Sequence, residues 1–181
     1  MAKDTKITNC VVSCDTHSKF VLEQLAAQLP DAEYAPESFP GLVYRVKEPK
    51  ASVLVFSTGK MICSGTKSLE QATMAVKAAL VNFRAIGMEI SEKLNTEVVN
   101  IVASSDLGSP IELNNVIFNL DNCEYEPEQF PGVVHRIDTP KTVFLIFSSG
   151  KIVITGAKSV THLEDAILEL ERELREIKVL K

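Results

Sequence analysis

The order of apolar and polar residues along this chain predicts one series of strands and helices, run through twice. Residues 6–15, rich in Val and in Thr, Ser and Cys, predict a first strand. Phe20, Val21, Leu22, Leu25, Ala26 and Leu29 then recur at helical spacing, so a helix is expected over residues 18–29, ended by Pro30-Asp31. Residues 32–34 predict a short strand, and residues 36–41, with two prolines and a glycine, a loop. Three strands follow over 42–47, 52–57 and 60–64, joined by Glu48-Pro49-Lys50 and Thr58-Gly59, which are short enough for antiparallel hairpins. Ser68, with Gln71 three residues on, predicts the N-cap of a helix that reaches Ile86 before Gly87. After a link over 88–96 the order returns: strand 98–105, helix 111–120, loop 127–132, three strands ending at Thr155, and helix 160–180.

The return extends to the residues themselves. Glu37-Ser-Phe-Pro-Gly-Leu-Val-Tyr-Arg45 comes back as Glu128-Gln-Phe-Pro-Gly-Val-Val-His-Arg136, at an offset of 91 without a gap. From Glu33 to Ser68, 19 of 36 positions are identical to their partners in the second copy. Solenoid repeats run about 20–50 residues, so this is a duplicated half-domain, with halves at 1–90 and 91–181. Strand, helix, a run of strands, helix: each half reads as α+β, with helices gathered on one face of an antiparallel sheet.

Two stretches complicate that picture. Val53-Leu54-Val55-Phe56 and Phe144-Leu145-Ile146-Phe147 are apolar on both faces, whereas a sheet with one wet side alternates. Two helices per half suffice to cover one face. The other is either left bare for binding or buried against the other half as a sandwich, and periodicity does not choose between them. By strand parity, if Val55, Met61 and Cys63 face the helices, then Leu54, Phe56, Ile62 and Ser64 face away, with Asn9, Val11 and Ser13 on the first strand. The second copy gives Leu145, Phe147, Val153 and Thr155, with Asn100, Val102 and Ser104. Arg45, Lys50, Lys60 and Lys67 ring this face in one copy, and Arg136, Lys141, Lys151 and Lys158 in the other.

Composition and charge sharpen the reading. The net charge of −5 argues against nucleic acid, but the sign is uneven: Phe39 to Ser68 carries +4 and Phe130 to Ser159 carries +3. Acid collects elsewhere, as at Glu164, Asp165, Glu169, Glu171, Glu173 and Glu176, which read as a solvated helix face. None of the four cysteines (Cys10, Cys14, Cys63, Cys123) is kept in the other copy, which favours buried free thiols over a disulfide framework. The zinc-like spacing of Cys10, Cys14 and His17 falls to the same test, and core packing is expected there. Gly65-Thr-Lys-Ser68 and Gly156-Ala-Lys-Ser159 look like the end of a phosphate loop, but the preceding glycine is misplaced. No nucleophile–base pair recurs in both halves, so no enzyme and no cofactor or metal is expected. No apolar run approaches a membrane span and the start has no signal-peptide core, so a cytoplasmic location is expected, nuclear in a eukaryote.

Branched aliphatics, a hydroxyl, an amide and a basic rim suit the DNA minor groove. Its floor shows only acceptors at A·T pairs, while G·C adds a protruding amino donor. Val, Leu and Ile would pack on that floor and clash with the amino group. Asn and Ser or Thr would meet the acceptors, and Lys and Arg the phosphates. A phenylalanine at each edge could wedge between base steps.

On these residues the chain resembles the TATA-box-binding protein family, from Lys6 to about Lys178. The marks are Glu-x-Phe-Pro-Gly (Glu37–Gly41, Glu128–Gly132), Pro-Lys (Pro49-Lys50, Pro140-Lys141), the Phe-Ser-x-Gly-Lys runs ending at Lys60 and Lys151, and Thr-Gly-Ala-Lys-Ser at 155–159. Phe-Pro-Gly in both halves and a short N-terminal segment look like the archaeal branch, hence a nucleoid location. The resemblance implies a saddle-shaped, pseudo-two-fold tandem repeat, its curved antiparallel sheet carrying helices on the convex face. It implies intercalation by Phe39 with Phe56 and by Phe130 with Phe147. It implies central base contacts from Asn9, Asn100, Ser64 and Thr155 over an apolar floor of Val11, Val102, Leu54, Leu145, Ile62 and Val153. Double-stranded promoter DNA with a TATA element is the implied partner, bent on binding. Transcription factor B is expected at the second Phe-Pro-Gly loop, beside Glu124, Glu126 and Glu128, with RNA polymerase recruited indirectly. The same oily face could pair the free protein weakly with itself. One departure is Ser64-Gly-Thr-Lys67 where the family pattern gives Thr-Gly-Ala-Lys. The rival readings are a hydrophobic-ligand or protein-docking module using that face, and an accessory domain that positions an enzyme.

Overall fold

The structure is a computed structural model and describes residues 4–181. Chain order is β1 (Lys6–Asp15), α1 (Leu22–Gln28), β2 (Ala32–Tyr34), β3 (Leu42–Lys47), β4 (Lys50–Val55), β5 (Lys60–Thr66), α2 (Leu69–Ala85), β6 (Asn95–Asp106), α3 (Leu113–Asn119), β7 (Cys123–Glu124), β8 (Gly132–Asp138), β9 (Lys141–Phe147), β10 (Lys151–Ala157) and α4 (Val160–Glu176). Two compact units result. The N-terminal unit is Asn9–Val99; the C-terminal unit is Asn100–Lys181 with the described residues up to Thr8.

Each unit is α+β. The N-terminal unit orders its strands β2-β3-β4-β5-β1, all antiparallel. The C-terminal unit repeats this as β7-β8-β9-β10-β6. The outermost strands, β2 and β7, are only three and two residues long.

The long helices start where the sequence places them. Ser68 Oγ accepts from the Gln71 N–H, and Ser159 Oγ from the His162 N–H, so each helix start has one orphan donor satisfied. Ala72, Ala75, Val76, Ala79, Leu80 and Phe83 make one buried stripe on α2, packed on β3, β4 and β5. Phe83 meets Phe20 and Tyr44 edge-on at 5.8 and 5.2 Å between ring centroids. Leu163, Ala166, Ile167, Leu170 and Leu174 do the same on α4 against β10.

Three expected helices are shorter in the structure. Instead of 18–29, α1 covers Leu22–Gln28, because the Thr16 and Phe20 N–H groups donate to the Gly59 and Ser57 carbonyls of the β4–β5 turn. Likewise α3 starts at Leu113 rather than 111, since the Ile111 N–H donates to Ser148. At its far end α4 stops at Glu176 instead of 180. There Lys178 turns left-handed at φ 59° and the Val179 N–H turns back to the Leu174 carbonyl.

Cys10, Cys14 and Cys63 sit in the core as free thiols, as core packing requires, and Cys123 is half-buried and also free. Burial pushes the Cys63 thiol up to about 11, with Cys10 nearby adding to it. His17 lies exposed and apart from that core role. Among the described residues no helix is long and apolar enough to cross a membrane.

Candidate nucleic-acid interface

Burial alternates along every central strand with period two. Val53, Val55, Met61 and Cys63 have no exposure at all, while Leu54, Phe56, Ile62 and Ser64 are half-buried. In the C-terminal unit Phe144, Ile146, Ile152 and Ile154 lie under the helices, and Leu145, Phe147, Val153 and Thr155 lie on the far side. Asn9, Val11, Asn100 and Val102 are on that side too, again half-buried. They are more accessible than the side chains under the helices. Each unit therefore carries an open face made of the residues that parity selected.

The phenylalanines are arranged in pairs. The Phe39 and Phe56 centroids lie 6.0 Å apart at 67°, and those of Phe130 and Phe147 lie 5.7 Å apart at 65°. Phe39 and Phe130 are 38% and 37% exposed, well above what a core aromatic shows. A helical turn sets each: the Phe39 N–H donates to the Ala35 carbonyl at 3.0 Å, and Phe130 to Glu126 at 2.9 Å. The glycine of Phe-Pro-Gly gives the pair its room. A Cβ on Gly41 would come within 2.7 Å of Phe39, and one on Gly132 within 3.0 Å of Phe130.

A bulge positions the amides. Cys10 pairs with Thr66 and Val12 with Cys63, so Ser64 and Gly65 together stand opposite one residue of β1. The same slip sets Thr155 and Gly156 against β6. Gly65 and Gly156 take φ of +93° and +99°, which a side chain would strain. Their N–H groups, turned out of the ladder, donate to Asn9 Oδ1 at 2.9 Å and Asn100 Oδ1 at 2.7 Å. With the oxygen held by the backbone, the Asn9 NH2 is left free to donate, while the Asn100 NH2 already gives one hydrogen to Thr155 Oγ1 at 3.1 Å and keeps the other.

The rim is basic and exposed. Lys50, Lys60, Lys67, Lys141, Lys151 and Lys158 are all exposed, and none has an ion pair among the described residues. Arg45 and Arg136 stand on the open face but within 3.7 and 3.9 Å of Glu33 and Glu124. Glu126 and Glu128 are exposed in the loop after β7.

The two copies diverge throughout one face and share most of the other, where Ser52/Val143, Ile62/Val153 and Ser64/Thr155 differ. Under the helices all twelve strand pairs differ: Cys10/Ile101, Val12/Ala103, Cys14/Ser105, Leu42/Val133, Tyr44/His135, Val46/Ile137, Ala51/Thr142, Val53/Phe144, Val55/Ile146, Met61/Ile152, Cys63/Ile154 and Thr66/Ala157. On the open face Asn9, Val11, Ser13, Val43, Arg45, Lys50, Leu54, Phe56 and Lys60 each have an identical partner. A core needs only volume, and many residue sets supply it.

Val43 and Val134 belong to this face and escaped the sequence reading. They pair with Leu54 and Leu145 in register and are half-buried. The alternation with buried Leu42 and Tyr44 was the available signal. A second feature went unseen: Cys123 Sγ lies 3.2 Å from His135 Nδ1, and His135 Nε2 lies 2.7 Å from Glu173 Oε2. Burial, then Glu173 and Asp121, push the Cys123 thiol up to about 11, which leaves it protonated and a poor nucleophile at neutral pH.

Residues 4–85 and 95–177 each match the family model described as Transcription factor TFIID (or TATA-binding protein, TBP). The chain is 46% identical to the TATA-box-binding protein of Archaeoglobus fulgidus over 94% of each chain. It is also 46% identical to that of Methanothermobacter thermautotrophicus, over 93% of this chain and 92% of the relative. The solved structure of Methanococcus jannaschii TBP superposes with a TM-score of 0.90 at 42% identity, covering 96% of this chain and 99% of that one.

Proposed function

This chain belongs to the TATA-binding protein family, and on that premise we propose that it is a general transcription initiation factor that binds the minor groove of TATA-element DNA. The observation that carries the reading is the inverted pattern of identity: nine positions of the open face are the same in both copies, while none of the twelve buried strand pairs beneath it is. A repeated ligand surface, such as a duplex, would press on both copies alike. Branched aliphatics at Val11, Leu54, Ile62, Val102, Leu145 and Val153 pack on the groove floor and leave no room for a guanine amino group. The oriented amides of Asn9 and Asn100 donate to A·T acceptors, and Ser64 and Thr155 stand beside them.

Each phenylalanine pair wedges into a base step and bends the duplex: Phe39 with Phe56, and Phe130 with Phe147. Unstacking costs a few kcal/mol per step, offset by the wider contact a bent duplex makes. The exposed lysines and the two arginines take phosphates, so binding weakens with salt despite the acidic total. Glu124, Glu126 and Glu128 offer an acidic face to a basic surface of transcription factor B, which brings in RNA polymerase.

The test is a gel shift with a TATA duplex against the same duplex carrying G·C pairs across its centre, so that both units face them, with circular-permutation mobility to read bending. Tight binding and a bend on the first duplex only is the expected result. Equal affinity for both, or indifference to both while a lipid or apolar peptide binds, would overturn it.

A further inference from the structure

Asn9 and Asn100 sit alike, but the hydroxyls beside them do not. Asn100 Nδ2 donates to Thr155 Oγ1 at 3.1 Å, which occupies one lone pair of that oxygen. Asn9 Nδ2 and Ser64 Oγ have no hydrogen-bond partner among the described residues. The cross-strand neighbours differ in the same sense. Thr155 pairs with Val143, whereas Ser64 pairs with Ser52, whose hydroxyl also has no partner among the described residues. All four side chains lie half-buried on the open faces. The C-terminal unit thus fills this spot with a γ-methyl and an isopropyl group. The N-terminal unit leaves a smaller, polar spot with two rotatable hydroxyls.

Only one base-pair feature of the minor groove reads that difference. G·C places an amino group there, one of whose hydrogens is left free to donate. It needs room of about a methyl group and an acceptor; met by methyls instead, it is buried unpaired, which is the expensive case. Ser64 Oγ, unengaged and without a γ-methyl, supplies both, and Ser52 enlarges the space. Thr155 and Val143 supply neither.

Building on the minor-groove reading, we propose that Ser64, with Ser52, lets the N-terminal unit accept one G·C pair that the C-terminal unit rejects. A single G·C pair would then fix which way round the protein sits on an otherwise symmetric element.

The experiment uses the full chain and palindromic A·T duplexes carrying no G·C pair, one G·C pair, or its mirror image as well, with the pair moved step by step through the half-site. At one step, wild type loses less than about threefold in affinity on the first G·C and about tenfold or more on the second, which Thr155 must face. Ser64→Thr makes the first G·C cost about tenfold as well. Thr155→Ser with Val143→Ser makes the second as cheap as the first. Ser64→Thr adds one methyl on an accessible face, so it tests the idea even if the double variant folds poorly. Two equal losses in wild type, or a first loss unchanged in Ser64→Thr, overturn the proposal. Failure to bind even the all-A·T duplex overturns the minor-groove reading itself, a separable result.

Discussion

In the N-terminal unit the helix-facing side of β3 is tied to α2 by a neutral pair, Asn82 Nδ2 donating to the Tyr44 hydroxyl at 2.8 Å. In the C-terminal unit the same two places hold Glu173 and His135, 2.7 Å apart, and Cys123 extends the chain where the first copy has Ala32. The strands above are alike: β8 sets Val134 and Arg136 where β3 sets Val43 and Arg45. What an open face requires from below is a filled volume and a polar group with a partner, and unrelated side chains meet both needs. Selectivity of sequence begins only where the side chains turn outward.

If that contrast is right, removing an outward side chain should injure binding, and removing an inward one should injure folding. The largest effect is expected for Phe147→Ala, which loses on the order of 100-fold in affinity for a TATA duplex. Its melting temperature should fall less than that of Val55→Ala, which opens a cavity under α2; comparable losses in calorimetry would break the distinction. Next comes Glu173→Ala. It leaves a His135 nitrogen unpaired at 3% exposure, so about 2 kcal/mol of stability should go. Asn82→Ala, at an exposed position, should lose under about 1 kcal/mol by denaturant titration. Equal losses would mean that the two ties are interchangeable after all.

A smaller effect belongs to Asn100→Ala, expected to relax preference for A·T at one step by about tenfold in a selection from random duplexes. An unchanged selected sequence would remove the amide from the readout. The smallest is Gly41→Ala. The added methyl displaces only the far edge of the Phe39 ring, so the fold should keep its stability while affinity drops several-fold. Gly132→Ala, with its 3.0 Å contact in place of 2.7 Å, should drop less.

Much of this was legible in the chain because strand parity is rigid. Once Val55 is buried, Leu54 and Phe56 must face the other way, and the register carries the rule from strand to strand. The N-caps at Ser68 and Ser159 were legible for a similar reason, being set by contacts three residues long. What failed to show were contacts made at a distance. The N–H of Phe20 belongs to a turn 37 positions on, so local helical spacing overran the true start of α1. Cys123, His135 and Glu173 come from three separate elements, and no spacing rule joins them. The reason for the glycine in Phe-Pro-Gly was likewise hidden, since it lies in the rings above it rather than in its own backbone angles.

The stunted outer strands have a consequence for a molecule that keeps bare valines and leucines in water. A sheet margin templates fibrils when it offers a run of free amides and carbonyls, and β2 and β7 offer three and two residues. Glu33 and Glu124, each near an arginine on the neighbouring strand, put charge on those same margins. Two molecules that meet margin to margin therefore find only two or three residues to zip along, too few to template a growing sheet.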